Sequence, residues 1–216
     1  MKKILSLCDL SGVMVKPWLD NGYECWIVDM QHPDGITRDG NLVKVGCMVE
    51  CLGAVLDTEG VTYSDFAICF AFPTCTDLCV SGARWWKQKG QIALRDALQL
   101  VFKCQDIINW VGKGFIENPV GRLSTEWRKP DYLFNPCDYA GYLSDTQQDA
   151  YTKKTCLWTT GNFKMPEKKF VTPNKVCAQG SWIQKLGGKS LKTKNLRSKT
   201  PEGFAVAVYE ANKNYI

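Results

Sequence analysis

The chain has 216 residues, 45% of them hydrophobic and 23% charged, with a formal net charge of +5. That size and balance suit one soluble globular domain with a single large core. No apolar run approaches the roughly 18–20 residues of a membrane-spanning helix, so the composition excludes an integral helical membrane protein.

Residues 3–8 form a short apolar run that ends at Asp9. The basic start and this run resemble an export signal, but about five apolar residues are too few, and a first β-strand is the better reading. A cytoplasmic location is therefore expected. Ser11 and Gly12 follow, then a helix from about Val13 to Asn21 that Gly22 ends. Residues 24–30 make a second strand ending near Asp29, and the unit opens a parallel α/β sheet. Gly, Pro and Asp mark 32–41 as a loop, with a weaker strand near 43–49. Residues 66–72 (FAICFAF) are continuously apolar, as a central strand buried on both faces requires, and Pro73 stops it. From Gln91 to Val111, Leu94, Ala97, Leu98, Val101 and Ile108 recur at helical spacing, which predicts an amphipathic crossover helix. Gly112 and Gly114 end it. A strand at Phe115–Ile116 follows, closed by Pro119, then a long polar stretch, a strand at Thr155–Trp158, and a last helix with Thr200 as N-cap and Pro201 at its first position. The expected fold is α/β, mostly parallel, with helices on both faces.

Eleven cysteines contain no CxxC pair, and His32 is the single histidine, so no metal site is expected. Most of the thiols suit small buried positions in a reducing compartment. Ligands in open α/β sheets bind at the carboxyl ends of strands. Each expected strand end here carries a chemically distinctive group: Asp9, Asp29, Cys75 just past Pro73, and Glu117-Asn118. Gly12 lets a ligand approach the first turn closely, with Asp9, Leu10 and Ser11 beside it. Asp29 either holds the ribose of an adenosine cofactor, with Met30 alongside, or caps a turn. Cys75 is either a reactive thiol, with Arg84 near enough in sequence to lower its pKa, or one buried cysteine among eleven. Glu117, partly desolvated at a strand end, can hold a raised pKa and act as an acid, or bond loop amides.

Charge is uneven. Residues 1–60 hold five Lys/Arg against nine Asp/Glu, whereas 164–199 hold ten Lys/Arg against Glu167 alone. The basic run is either a solvated surface or a phosphate-contacting face, which Arg122, Arg128 and Lys129 would extend.

Pro73-x-Cys75 followed by Val80-Ser81-Gly82-Ala83-Arg84 resembles the nucleophile motif of cytosine-C5 DNA methyltransferases, and Glu117-Asn118-Pro119-Val120 resembles their Glu-Asn-Val motif. The stretches RDGNLVKVG, CTDLCVSGARWWK, ENPVGRLSTEWRKPD, YTKKTCLW and NLRSKTPEGFA extend a resemblance to short methyltransferase-like proteins of bacteriophages and bacteria over roughly residues 3–213. The resemblance implies a Rossmann-like methyltransferase sheet, S-adenosylmethionine as cofactor and DNA as partner. It implies Cys75 as nucleophile and Glu117 as the partner of cytosine N3. Asp9, Leu10, Ser11, Gly12, Asp29, Met30 and Pro73 would then line the cofactor, and Thr76, Ser81, Arg84, Asn118, Lys153 and Lys154 the substrate. It also implies one methyltransferase-like domain with a reduced basic recognition segment near 160–199. Four features depart from the family. The glycine-rich first turn is reduced to Gly12, with Val13 and Met14 where small residues often sit. Thr74 stands where Pro usually precedes the nucleophile. Gly46-Cys47-Met48 offers no acid for the adenine. Tyr151-Thr152-Lys153-Lys154-Thr155 replaces the usual Gln-x-Arg-x-Arg. A pyrimidine nucleotide or single-stranded DNA as substrate, or a non-catalytic cofactor- or nucleic-acid-binding role, are the competing functions.

Overall fold

The computed structural model describes residues 2–174, 176, 181–186 and 190–215, apart from the side chains of Ser81 and Gln184. In chain order the strands are β1 (Lys3–Leu7), β2 (Glu24–Val28), β3 (Gly35–Asp39), β4 (Leu42–Gly46), β5 (Phe66–Ala71), β6 (Gly114–Pro119), β7 (Tyr132–Phe134) and β8 (Thr155–Thr160). The helices are α1 (Lys16–Leu19), α2 (Leu52–Thr58), α3 (Trp86–Val111), α4 (Leu123–Glu126), α5 (Leu191–Ser198) and α6 (Glu202–Asn212).

All eight strands join one sheet in the order β3-β4-β2-β1-β5-β6-β8-β7. The run β4-β2-β1-β5-β6 is parallel. The pairs β3–β4, β6–β8 and β7–β8 are antiparallel. From β1 the chain first builds outward through β2 and β4. It then returns to place β5 on the other side of β1. The order therefore reverses between β1 and β5, and crossovers leaving in opposite directions open a crevice at the carboxyl ends there.

Side chains alternate across the sheet and separate two cores. Leu5, Leu7, Trp26, Val28, Cys69 and Ala71 pack with Leu52 and Leu56 of α2 and with Leu94, Val101, Cys104 and Ile108 of α3. Ile4, Cys25, Ile27, Ile68 and Phe70 pack with Trp18 of α1 and with Phe204, Ala207 and Val208 of α6. Helices thus cover both faces, as the continuous apolar strands require. No described helix is long and apolar enough to cross a membrane.

Several elements differ from their sequence expectation. Residues 32–41 hold β3 rather than a loop alone. The stretch turns back on β4 through Gly40, whose φ of 55° suits the tight connection. The first helix is only four residues long, because Pro17 lies at its start and Gly22 follows closely. Helix α3 is broken at Gly90 (φ 72°), so its regular part begins at the expected Gln91. Pro201, not Thr200, takes the N-cap position of α6, and no side chain caps that helix.

Candidate functional site

A cavity of about 1330 Å³ lies along the carboxyl edge of the parallel strands. It is lined by residues following β1 (Cys8–Ser11), β2 (Asp29–Gln31), β4 (Cys47–Glu50), β5 (Phe72–Thr76) and β6 (Val120, with Glu117–Pro119 of the strand itself). Lys153 and Lys154, just before β8, and the basic helix α5 close its other side. The volume exceeds the roughly 300–1,000 Å³ of a common small-ligand pocket, which leaves room for two ligands side by side.

The turn after β1 is built by Asp9. Its carboxylate accepts hydrogen bonds from Ser6 Oγ at 2.8 Å, Ser11 N at 3.0 Å, Ser11 Oγ at 3.1 Å and Gly12 N at 2.8 Å. The ring Nε2 of buried His32 lies 3.2 Å from the Asp9 carbonyl oxygen. Cys8 holds φ 55°, the one positive value at a non-glycine position among the described residues. Such a conformation costs on the order of 1–3 kcal/mol and persists here because Asp9 over-determines the turn. Asp9 therefore shapes the turn instead of offering a free carboxylate. Gly12 (φ 66°) does not line the cavity: its amide bonds Asp9, and a Cβ there would face Ile27. Cys8, Asp9, Leu10 and Ser11 of this turn line the cavity, and Gly12 does not.

At the end of β2, Asp29 is half-buried and accepts the Gln31 amide on Oδ1 at 2.8 Å. Among the described residues its second oxygen takes no hydrogen bond. Met30 beside it is 70% exposed within the cavity wall. Both expectations for this strand end are placed in the cavity. After β4, Glu50 puts a carboxylate in the cavity lining.

Because β5 and β6 are parallel neighbours, the loops that follow them lie side by side, and they are stitched together. Asn118 Nδ2 donates to the Pro73 carbonyl at 2.8 Å, Val80 N to Val120 O at 3.1 Å, and Arg122 N to Leu78 O at 2.7 Å. Cys79 bridges Gly121 in the same ladder. Asn118 is thus a loop-holding residue: it is 1% exposed, and its Oδ1 is buried without a partner among the described residues. The stitching brings Cys75 and Glu117 into one wall. The thiol of Cys75 is hydrogen-bonded to that of Cys79. This bond, then burial, then the nearby Glu117 carboxylate push it far above the ordinary cysteine range, while Lys153 acts in the opposite direction. Burial raises Glu117 above the usual carboxylate range, again opposed by Lys153. One lysine thus faces both groups.

Arg84 does not share this wall. It is exposed, outside the cavity lining, and its guanidinium sits 5.1 Å above the Trp85 ring. The intervening 3₁₀ turn, Val80–Trp85, carries it away from the thiol. The cation near Cys75 is Lys153. Thr76 and Pro73 line the cavity as expected, whereas the side chain of Ser81 lies outside the described residues.

The basic segment divides in two. Lys168 pairs with Asp138 at 3.2 Å, and Lys164 and Lys169 sit over the rings of Tyr215 and Tyr142. Lys194, Arg197 and Lys199 line the cavity, and Asn195 Nδ2 of α5 donates to Gln31 Oε1 at 3.1 Å. Lys175 and Lys189 lie outside the described residues. Arg122 covers Trp86, and Arg128 forks onto Asp131, so neither is a free phosphate contact. The cavity is consequently acidic at the β2–β4 end and cationic beneath α5 and Lys153.

No protein-family model matches the chain, and no curated protein matches it either.

Proposed function

We propose that this protein is an S-adenosylmethionine-dependent methyltransferase acting at C5 of cytosine in DNA, on a Rossmann-like methyltransferase fold. The observation that carries the reading is the convergence of Cys75 and Glu117 in one cavity wall at the ends of two adjacent parallel strands, with Lys153 facing both. The strand order supports it further, because the same cavity crosses the reversal point between β1 and β5.

The residues at the β1–β2 end fit a nucleoside sulfonium. Asp29 has an oxygen free to accept ribose hydroxyls, Met30 offers an apolar face for a base, and Leu10 and Ser11 border the remainder. When bound, that cofactor supplies an electrophilic methyl group. Cytosine C5 is a weak nucleophile, and the protein's part is to raise its electron density. The Cys75 thiol loses its proton to solvent, Lys153 opposing the Cys79 hydrogen bond, the burial and the Glu117 charge that hold the proton, and Sγ bonds C6. Glu117, whose pKa burial raises, gives its proton to N3, so the C5–C6 π pair is available at C5 without charge building up in the ring. With Cys75 on C6 and Glu117 on N3, C5 would be the nucleophile toward the methyl group that a bound cofactor would supply, its sulfur keeping the bond's electron pair. Loss of the C5 proton to water then expels the Cys75 sulfur, and the N3 proton returns to Glu117. In duplex DNA the base must first leave the stack. Lys154, Lys194 and Arg197 at the cavity edge would meet its phosphates.

Transfer of a labelled methyl group from the cofactor to duplex DNA, single strands and free nucleotides tests the proposal, with the product identified by mass spectrometry. 5-Methylcytosine formed by the wild type and not by Cys75→Ala is expected. Methyl transfer that survives in Cys75→Ala, or arrives at another atom, contradicts it.

A further inference from the structure

Cys75 and Cys79 lie four residues apart in the loop after β5. The backbone closes a turn between them: the Cys79 amide donates to the Cys75 carbonyl at 2.9 Å, and the Leu78 amide to the same oxygen at 3.0 Å. Four residues at a helical rise span about 6 Å, within the roughly 4.4–6.8 Å between Cα atoms that a disulfide accepts. Both residues belong to the lining of one cavity, and the Cys79 thiol is the first cause of the raised Cys75 value. They also differ in access. Both line the cavity, but Cys75 is half-buried whereas Cys79 is buried beside the Gly121 segment. A reagent entering the cavity therefore reaches Cys75 first and leaves Cys79 as the resolving thiol.

We propose that Cys75 and Cys79 are a dithiol modification site that closes to an intraloop disulfide when a small-molecule disulfide of the glutathione type enters the cavity. Cys75, as thiolate, attacks one sulfur of the reagent and forms a mixed disulfide, and the first reagent thiolate leaves. The Cys79 thiol gives up its proton, attacks Cys75 Sγ and expels the second reagent thiolate. Two protein thiols are oxidised and one reagent disulfide is reduced to two thiols. The closed pair removes the sulfur that the proposed methyl transfer uses. That consequence rests on the methyltransferase reading, but the disulfide chemistry does not.

The full-length protein incubated with oxidised glutathione, alkylated and digested with a protease that cuts before Asp77 provides the test. Cleavage there separates the two cysteines unless a disulfide joins them. The expected result is a linked peptide pair carrying Cys75 and Cys79, released by dithiothreitol. In Cys79→Ser the link is absent and Cys75 retains the glutathione. Wild-type protein that keeps glutathione on Cys75 with Cys79 alkylated overturns the proposal. So does a first link elsewhere, for which Cys8 and Cys104, also thiol to thiol, are the natural competitors. The wild-type map requires no variant to fold. Loss of methyl transfer on oxidation and its recovery on reduction extend the site to regulation. A Cys75–Cys79 link in a protein that transfers no methyl group under any condition leaves the modification site standing and removes the methyltransferase reading.

Discussion

Replacing Gly121 by Ala strains the stitch that holds the Cys75 loop against the end of β6. A Cβ at position 121 would lie 1.9 Å from the Leu78 carbonyl oxygen and 2.8 Å from the Cys79 Cα. The oxygen contact is about 1.5 Å short of ordinary van der Waals distance, and the obstructing atoms are backbone, so no side-chain rotation relieves it. Overpacking of this kind costs about 1–3 kcal/mol, which lowers Tm by roughly 2–12 °C in a chain of this size. The larger effect falls on chemistry. Separating the loops shifts Cys75 relative to Glu117, and a misplacement of about 1 Å costs on the order of 10²-fold in rate. The measurement is single-turnover methyl transfer beside a thermal melt and cofactor titration. The expected outcome is a folded protein with near-normal cofactor affinity and a rate lowered by about 10²-fold. A Gly121→Ala protein with unchanged rate and Tm would show that the stitch does not position the thiol.

Glu117→Gln should abolish turnover while leaving cofactor affinity nearly intact, as read by calorimetry. The stability effect has a definite sign. The folded-state pKa of Glu117 is raised by burial, so the wild type loses stability as pH rises from the unfolded carboxyl value through the folded one, and Gln does not. The variant should therefore melt higher than wild type at neutral pH, with the difference shrinking in acid. A difference that grows in acid contradicts the burial. For Cys79→Ala, loss of the thiol hydrogen bond, the largest cause of the raised Cys75 value, should speed alkylation of Cys75 at neutral pH, counted by peptide mass spectrometry; equal or slower alkylation would reject that cause. Asp29→Ala should weaken cofactor binding by about 1.5–3 kcal/mol, the usual worth of hydrogen bonds to a charged group, with little change in Tm. Equal affinity would remove Asp29 from the cofactor site.

The central sheet was legible because burial on both faces leaves an unmistakable trace: 66–72 is apolar throughout, and β5 follows it closely. The pairing of Cys75 with Glu117 followed from adjacency of β5 and β6. Edges were harder to read. β3 exposes most of its residues, so no alternation marks it, and β7 is only three residues long. Helix α5 buries no residue, so it carries no apolar stripe, yet it supplies much of the cationic cavity wall. Nearness in sequence favours Arg84, which a 3₁₀ turn carries away, whereas Lys153 reaches Cys75 from the segment just before β8. Cys79 left one signal, its four-residue spacing from Cys75.

Covalent trapping tests the central claim most directly. The protein, cofactor and an oligonucleotide containing 5-fluorocytosine are mixed, digested and mapped by mass spectrometry, since fluorine at C5 blocks the final elimination. The account predicts a methylated base bound through C6 to the Cys75 peptide, absent in Cys75→Ala. An adduct on any other residue, or methylation of ordinary cytosine with no adduct in the fluorinated strand, would contradict it.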